Sequence, residues 1–208
     1  MRTSYFKMFF ITGDIIGQGI IILLFLLSLF TVAYLIRLGM IYRRAALLPP
    51  GLADEVQALV AGQRHKEALA AAKKSDSYLG QLLGGAMEAS PHGYPAMERA
   101  LAEVADAETA RMMRPLEYLN VLGNVAPRIG LFGTVYGMIV AFWQLVESGR
   151  PEPRELAAGI STALVTTFWG LIIAIPALAG YALVRNKVDA LTSDGLVIAE
   201  RVIRPFKP

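Results

Sequence analysis

Three runs without a charged side chain divide this chain: one between Asp14 and Arg37, one between Arg128 and Glu147, and one between Glu155 and Arg185. A helix needs about 20 mostly apolar residues in a row to cross a bilayer, so each run is predicted as a membrane span. The spans are placed at residues 14–36, 124–147 and 156–184. The first is not read as a signal peptide, whose apolar core is about 7 to 15 residues long and is followed by a small-residue cleavage site. Ile15 to Ile36 exceeds that length and runs straight into Arg37, Arg43 and Arg44.

The pattern between the spans is different. Pro49, Pro50 and Gly51 break the chain, after which Leu52, Val56, Leu59 and Val60 recur at helical spacing behind Asp54 and Glu55. A second short helix is predicted over 67–74, and Ser90, Pro91, Gly93 and Pro95 form the next breaker. From Ala96 the apolar positions Met97, Leu101, Val104 and Ala105 alternate with Glu98, Glu103, Asp106 and Glu108. That amphipathic helix is expected to run, kinked at Pro115 and Pro127, to about Glu147, because membrane helices tolerate proline where neighbours satisfy the freed carbonyls. Residues 37–123 therefore form a helical region, 148–155 a simple turn, and 185–208 a helical tail that continues the third span through Val188, Leu191 and Leu196. The fold class is an all-α membrane protein with long helical extensions, read as a single membrane unit.

Composition agrees, with 55% hydrophobic residues against 18% charged, and charge fixes the expected orientation. If 37–128 and the tail are cytoplasmic, sixteen of the twenty Lys and Arg lie inside, leaving only Arg2, Lys7, Arg150 and Arg154 outside. The positive-inside rule then gives an external N-terminus and a cytoplasmic C-terminus. Lipid, not nucleic acid, accounts for the net charge of +3. The chain has no Cys, which excludes disulfides and thiolate chemistry. His65 and His92 stand alone among polar residues, so no metal or other cofactor is expected, and no nucleophile or acid–base pair suggests an enzyme.

An ionisable residue inside a span would be the first functional candidate in a membrane protein, and no span contains one. An ion crossing here needs a charge from another polypeptide, or waters held by hydroxyls. Thr134 shares a helix face with Gly130, Gly137 and Ala141, and Thr167 shares one with Ala163, Gly170 and Ala174. Such faces let another helix approach closely and offer it a hydrogen bond. The competing reading is that these threonines bond their own i−4 carbonyls and only pack. The glycines of GLFGTVYG, residues 130–137, lack the Lys-Ser/Thr ending of a phosphate loop and are assigned to helix packing. Trp143 near Glu147 is read as an interfacial anchor, and Trp169 as lipid-facing or subunit-facing.

NVAPRIGLFGTVYGMIVAFW, residues 124–143, and GISTALVTTFWGLIIAIPALAGY, residues 159–181, resemble the second and third spans of the ExbB/TolQ/MotA family. Length and three-span plan are more similar to ExbB and TolQ than to MotA. The resemblance implies a proton-channel stator of the bacterial inner membrane: a homo-oligomeric ring, a pentamer, around a single-span ExbD/TolR-like partner with an intramembrane Asp, coupled to a TonB/TolA-like transducer. It implies that Thr134 and Thr167 face the ion pathway, with Thr162 and Thr166 beside them. Gly130, Gly133, Gly137, Gly170, Pro127 and Pro176 are then helix-packing positions. Thr162 stands where ExbB and TolQ often carry a glutamate. The alternative function is a non-conducting scaffold that holds partner helices.

The orientation has a direct check. In intact cells a Ser75→Cys variant should resist an impermeant external thiol reagent, and modification there would reverse the topology.

Overall fold

The computed structural model describes residues 15–148 and 153–207. Asp14 and the middle of the turn expected at 148–155 lie outside the described residues, as do the side chains of Arg154 and Glu155. The described elements are α1 (Ile15–Ile41), α2 (Arg44–Leu47), α3 (Leu52–Ala61), α4 (His65–Lys74), α5 (Tyr78–Glu88), α6 (Tyr94–Met113), α7 (Glu117–Ser148) and α8 (Pro153–Ile203), with 3₁₀ turns at Ser90–His92, Arg114–Leu116 and Arg204–Phe206. Three stretches, Ile15–Ile41, Tyr94–Glu147 and Gly159–Phe206, are long and apolar enough to cross a membrane. Pro115 falls in the 3₁₀ turn that separates α6 from α7, whereas Pro127 and Pro176 sit inside continuous helices. The third span extends without a break into the tail, to Ile203.

The chain divides into two compact units, one comprising residues up to Ile36 with Glu117–Ala182, the other Arg37–Leu116 with the residues from Leu183 onward. In the first unit α1 contributes Ile20 and Leu24 to a small core with Ala126 and Ile173, flanked by Leu27, Ile129 and Trp169. Trp169 meets the edge of Phe25 at a centroid distance of 6.2 Å. It packs on the first span as well as beside Phe168. Leu26, Phe30, Phe132, Ile139, Trp143, Leu164 and Ile175 are exposed. Water would not favour so large an apolar surface, whereas hydrocarbon suits it.

Small residues set the antiparallel register of α7 on α8: Gly123 meets Leu178, Gly130 meets Gly170, Gly137 meets Ala163 and Ala141 meets Gly159. A Cβ on Gly170 would lie 2.7 Å from the Ala126 carbonyl and 3.2 Å from Pro127 Cα. Those are backbone atoms with no room to yield. The small-residue faces seen in the sequence are therefore used, at this seam, against each other within one chain.

The second unit buries Leu52, Val56 and Val60 of α3, Ala68 and Ala72 of α4, Leu79, Leu82, Leu83 and Met87 of α5, and Met97 and Leu101 of α6. Ser77 caps α5, its Oγ accepting from the Gly80 amide at 3.0 Å. Val188, Leu191, Val202 and Ile203, from the end of α8, are buried in the same unit. The Tyr42 hydroxyl donates to the Met112 carbonyl at 2.8 Å, and Arg44 pairs with Asp194 at 2.7 Å. That ion pair is exposed and contributes at most about 1 kcal/mol. Burial pushes the Tyr78 phenol above its ordinary pKa, against a hydrogen bond with Thr109 that lowers it, and the Asp106 and Glu108 carboxylates add to the rise.

The seam predicts a sharp contrast between two glycines. Gly170→Ala should cost about 1–3 kcal/mol through overpacking, read as a lower unfolding midpoint in detergent. Gly19→Ala, with nothing within 4 Å of the added Cβ, should be neutral or stabilising by up to about 1 kcal/mol.

Candidate functional site

The close approach at Gly130 and Gly170 places three hydroxyls against two backbone carbonyls. Thr134 projects from α7, and Thr166 and Thr167 from the next helix, α8. Thr166 is buried, its side chain filling the space opposite Gly133, where a Cβ would lie 2.7 Å from its own. Its Oγ1 lies 2.7 Å from the Ala163 carbonyl and 3.0 Å from the Gly130 carbonyl. The Thr134 Oγ1 lies 2.9 Å from the Ala163 carbonyl and 3.2 Å from that of Gly130. The Thr167 hydroxyl reaches the Gly130 carbonyl at 3.2 Å and is in hydrogen-bond contact with the Thr134 hydroxyl.

Each hydroxyl carries one proton and accepts through two lone pairs. The cluster therefore has five hydroxyl-to-carbonyl contacts but only three protons to make them with. Thr134 bonds its own i−4 carbonyl, as a packing threonine would, and also reaches across to α8, so both readings of its spacing apply. Thr134 and Thr167 remain half-buried. Thr134 also ends a groove of about 500 Å³ whose other walls, Val135, Met138, Ile139, Phe142, Trp143 and Val146, supply almost no polar surface. No Asp, Glu, Lys or Arg occurs within 129–146 or 156–184, so the only protein charges here are partial ones on hydroxyls and carbonyls.

Of the residues singled out from the sequence, the structure gathers Thr134, Thr166, Thr167, Gly130, Gly133, Gly137 and Gly170 along the α7–α8 seam. Pro127 joins them, its Cα against Gly170. Pro176 lies within α8, half-buried. The side chain of Thr162 lies outside the described residues. Thr31 of α1 is buried and donates to its own i−4 carbonyl, Leu27, at 2.8 Å, apart from the cluster.

The sequence reading missed a second polar group. Asn120 Nδ2 donates to Glu117 Oε2 at 3.0 Å, and Asn124 Nδ2 donates to the Asn120 backbone and side-chain oxygens at 2.7 and 2.9 Å. The Tyr181 hydroxyl donates to Glu117 Oε1 at 3.2 Å. The signal was present as polar residues spaced three and four apart, but it fell outside the charge-free run that drew attention.

Residues 74–194 match the family model described as the MotA/TolQ/ExbB proton channel family. The Tol-Pal system protein TolQ of Haemophilus influenzae is 34% identical over 96 residues, 46% of this chain and 42% of its own. The biopolymer transport protein ExbB of Helicobacter pylori is 37% identical over 87 residues, 42% of this chain and 60% of its own. ExbB of Neisseria gonorrhoeae is 39% identical over 89 residues, 41% of this chain and 40% of its own. The chain thus matches about half the length of these curated relatives.

Proposed function

Because the chain belongs to the MotA/TolQ/ExbB proton channel family, we propose that it is the channel-forming stator subunit of an inner-membrane motor, conducting protons between its own threonines and a partner's carboxylate. The observation that carries this reading is the pairing of an uncharged membrane interior with three converging hydroxyls. A proton channel needs a group that gains and loses charge, and these spans have none. A single-span ExbD/TolR-like helix with an intramembrane Asp supplies it.

In this mechanism several copies of the chain, five in the proposed ring, surround the partner helix, with Thr134 and Thr167 turned towards it. Their hydroxyls donate to the partner's carboxylate when it is ionised and accept from it when it is protonated, which hydroxyls do equally well. Water held at the half-buried oxygens completes the path. In the proposed N-out, C-in orientation, residues 37–123 and the tail from 185 are cytoplasmic. The gradient drives motion of the partner, and a TonB/TolA-like transducer carries the work across the envelope. The resemblance to ExbB and TolQ supports this assignment, and the basic-residue asymmetry supports the orientation.

A scaffold without conduction is the second reading, favoured by one observation: every hydroxyl in the cluster already reaches a carbonyl within the chain. Proton flux by the unaltered chain with its partner separates the two, and valine tests the hydroxyls, since it keeps the volume of threonine and removes the oxygen. Thr134→Val and Thr167→Val should each lose no more than about 0.6–1.7 kcal/mol of packing stability and keep the ring size by native mass measurement. Both should abolish proton uptake, read with a pH-sensitive dye in vesicles containing the chain and its single-span partner. Thr31→Val should be nearly silent. Full proton flux in both cluster variants would overturn the threonine pathway, and no flux even with the unaltered chain and its partner would establish the scaffold.

A further inference from the structure

The polar group at the start of α7 is not isolated from the threonines. Glu117, Asn120 and Asn124 are spaced three and four apart, and the same steps continue through Pro127 and Leu131 to Thr134. Positions so spaced form one stripe along a helix. Pro127 adds a polar group of its own, since proline has no N–H and the Gly123 carbonyl four residues back loses its helical donor. Along the stripe the order is a carboxylate bonded to Tyr181, two amides, a freed carbonyl, and then the Gly130 carbonyl that the threonine hydroxyls share. The longest interval lies between the Gly123 and Gly130 carbonyls. At seven residues it spans about 10 Å, the reach of a file of about three hydrogen-bonded waters in the proposed channel.

The neighbouring stripe behaves differently. Val121, Val125, Phe132, Val135 and Ile139 are exposed and apolar, and the only charge among them, Arg128, has a long stem that reaches a headgroup layer. Residues at the same level of α7 therefore present two chemistries, one apolar and one polar. Polar side chains within membrane helices face a bundle interior or a water-filled cavity.

We infer that the stripe Glu117–Asn120–Asn124–Pro127, with Tyr181, is the wet half-channel connecting the threonine cluster to the solvent at the Glu117 end of α7, and that Glu117 is its proton relay. This rests on the conducting role proposed for Thr134 and Thr167. A proton leaving the cluster passes along the waters and protonates the Glu117 carboxylate. Release of that proton to bulk water restores the carboxylate, held in place by the Tyr181 hydroxyl and the Asn120 amide.

The chain has no Cys, so single-Cys variants of the full protein report water contact without background. In inverted membrane vesicles treated with 2-aminoethyl methanethiosulfonate, Asn120→Cys and Asn124→Cys should react at least roughly tenfold faster than Val121→Cys and Val125→Cys, because only a hydrated thiol ionises readily. In vesicles containing the chain and its partner, Glu117→Gln should lower proton flux roughly tenfold to a hundredfold, with ring size unchanged, and Glu117→Asp should retain most of it. Equal reaction rates on the two stripes would overturn the half-channel, and undiminished flux in Glu117→Gln would overturn the relay. If Thr134→Val abolishes flux while the stripes react equally, only this inference fails. If the stripes differ but Thr134→Val conducts normally, the threonine pathway fails and the relay with it.

Discussion

Backbone-to-backbone contact between α7 and α8 at Gly130 and Gly170 is the constraint on which the membrane part of this protein depends. Helices in lipid gain little from excluding apolar surface, because the solvent is equally apolar, so they associate through close packing and a few hydrogen bonds. Small residues every three or four positions supply the first. They also create the second, since only at this separation do hydroxyls on one helix reach carbonyls on the other. The Thr134–Thr166–Thr167 cluster is in this sense a product of the glycines. Enlarging one of them would part the helices and scatter the hydroxyls together.

This arrangement explains why the spans lack carboxylates without losing polarity. A charge buried in hydrocarbon is costly and demands a partner, whereas hydroxyls and carbonyls satisfy one another within the seam. In the proposed mechanism the titrating group enters on a second polypeptide, so the ionisable element and its surroundings belong to different chains. Conduction then requires assembly, and an unassembled subunit leaves no charge stranded in the bilayer.

How much was legible in the sequence varied with the range of the interaction. The three spans followed from charge-free runs, which are local features. The kinks expected at Pro115 and Pro127 differ: α6 gives way to a 3₁₀ turn at Pro115, and α7 continues through Pro127. Gly130, Gly137 and Gly170 announced close packing by their spacing, but their partner was hidden, since periodicity identifies a face without saying what covers it. Thr166 shows the same limit. The helical-face argument favoured Thr167 over it, yet Thr166 is the more buried hydroxyl and the one wedged opposite Gly133. Trp169 was read as lipid-facing or subunit-facing, and its contact with Phe25 of α1 is a tertiary one that no local pattern shows. Glu117, Asn120 and Asn124 escaped notice because candidates were sought within the charge-free runs, the second of which starts after Arg128, although α7 begins at Glu117.

The excess of acceptor contacts over protons in the threonine cluster has a consequence for its internal order. Several hydrogen arrangements fit the same heavy-atom positions, as in ice, so the cluster retains residual entropy that a single fixed pattern would lose. Passing between arrangements needs only rotation about Cβ–Oγ bonds, far faster than any helix movement. The dipole of the cluster can thus reverse beneath a stationary backbone, and a rigid seam holds a polarisable element.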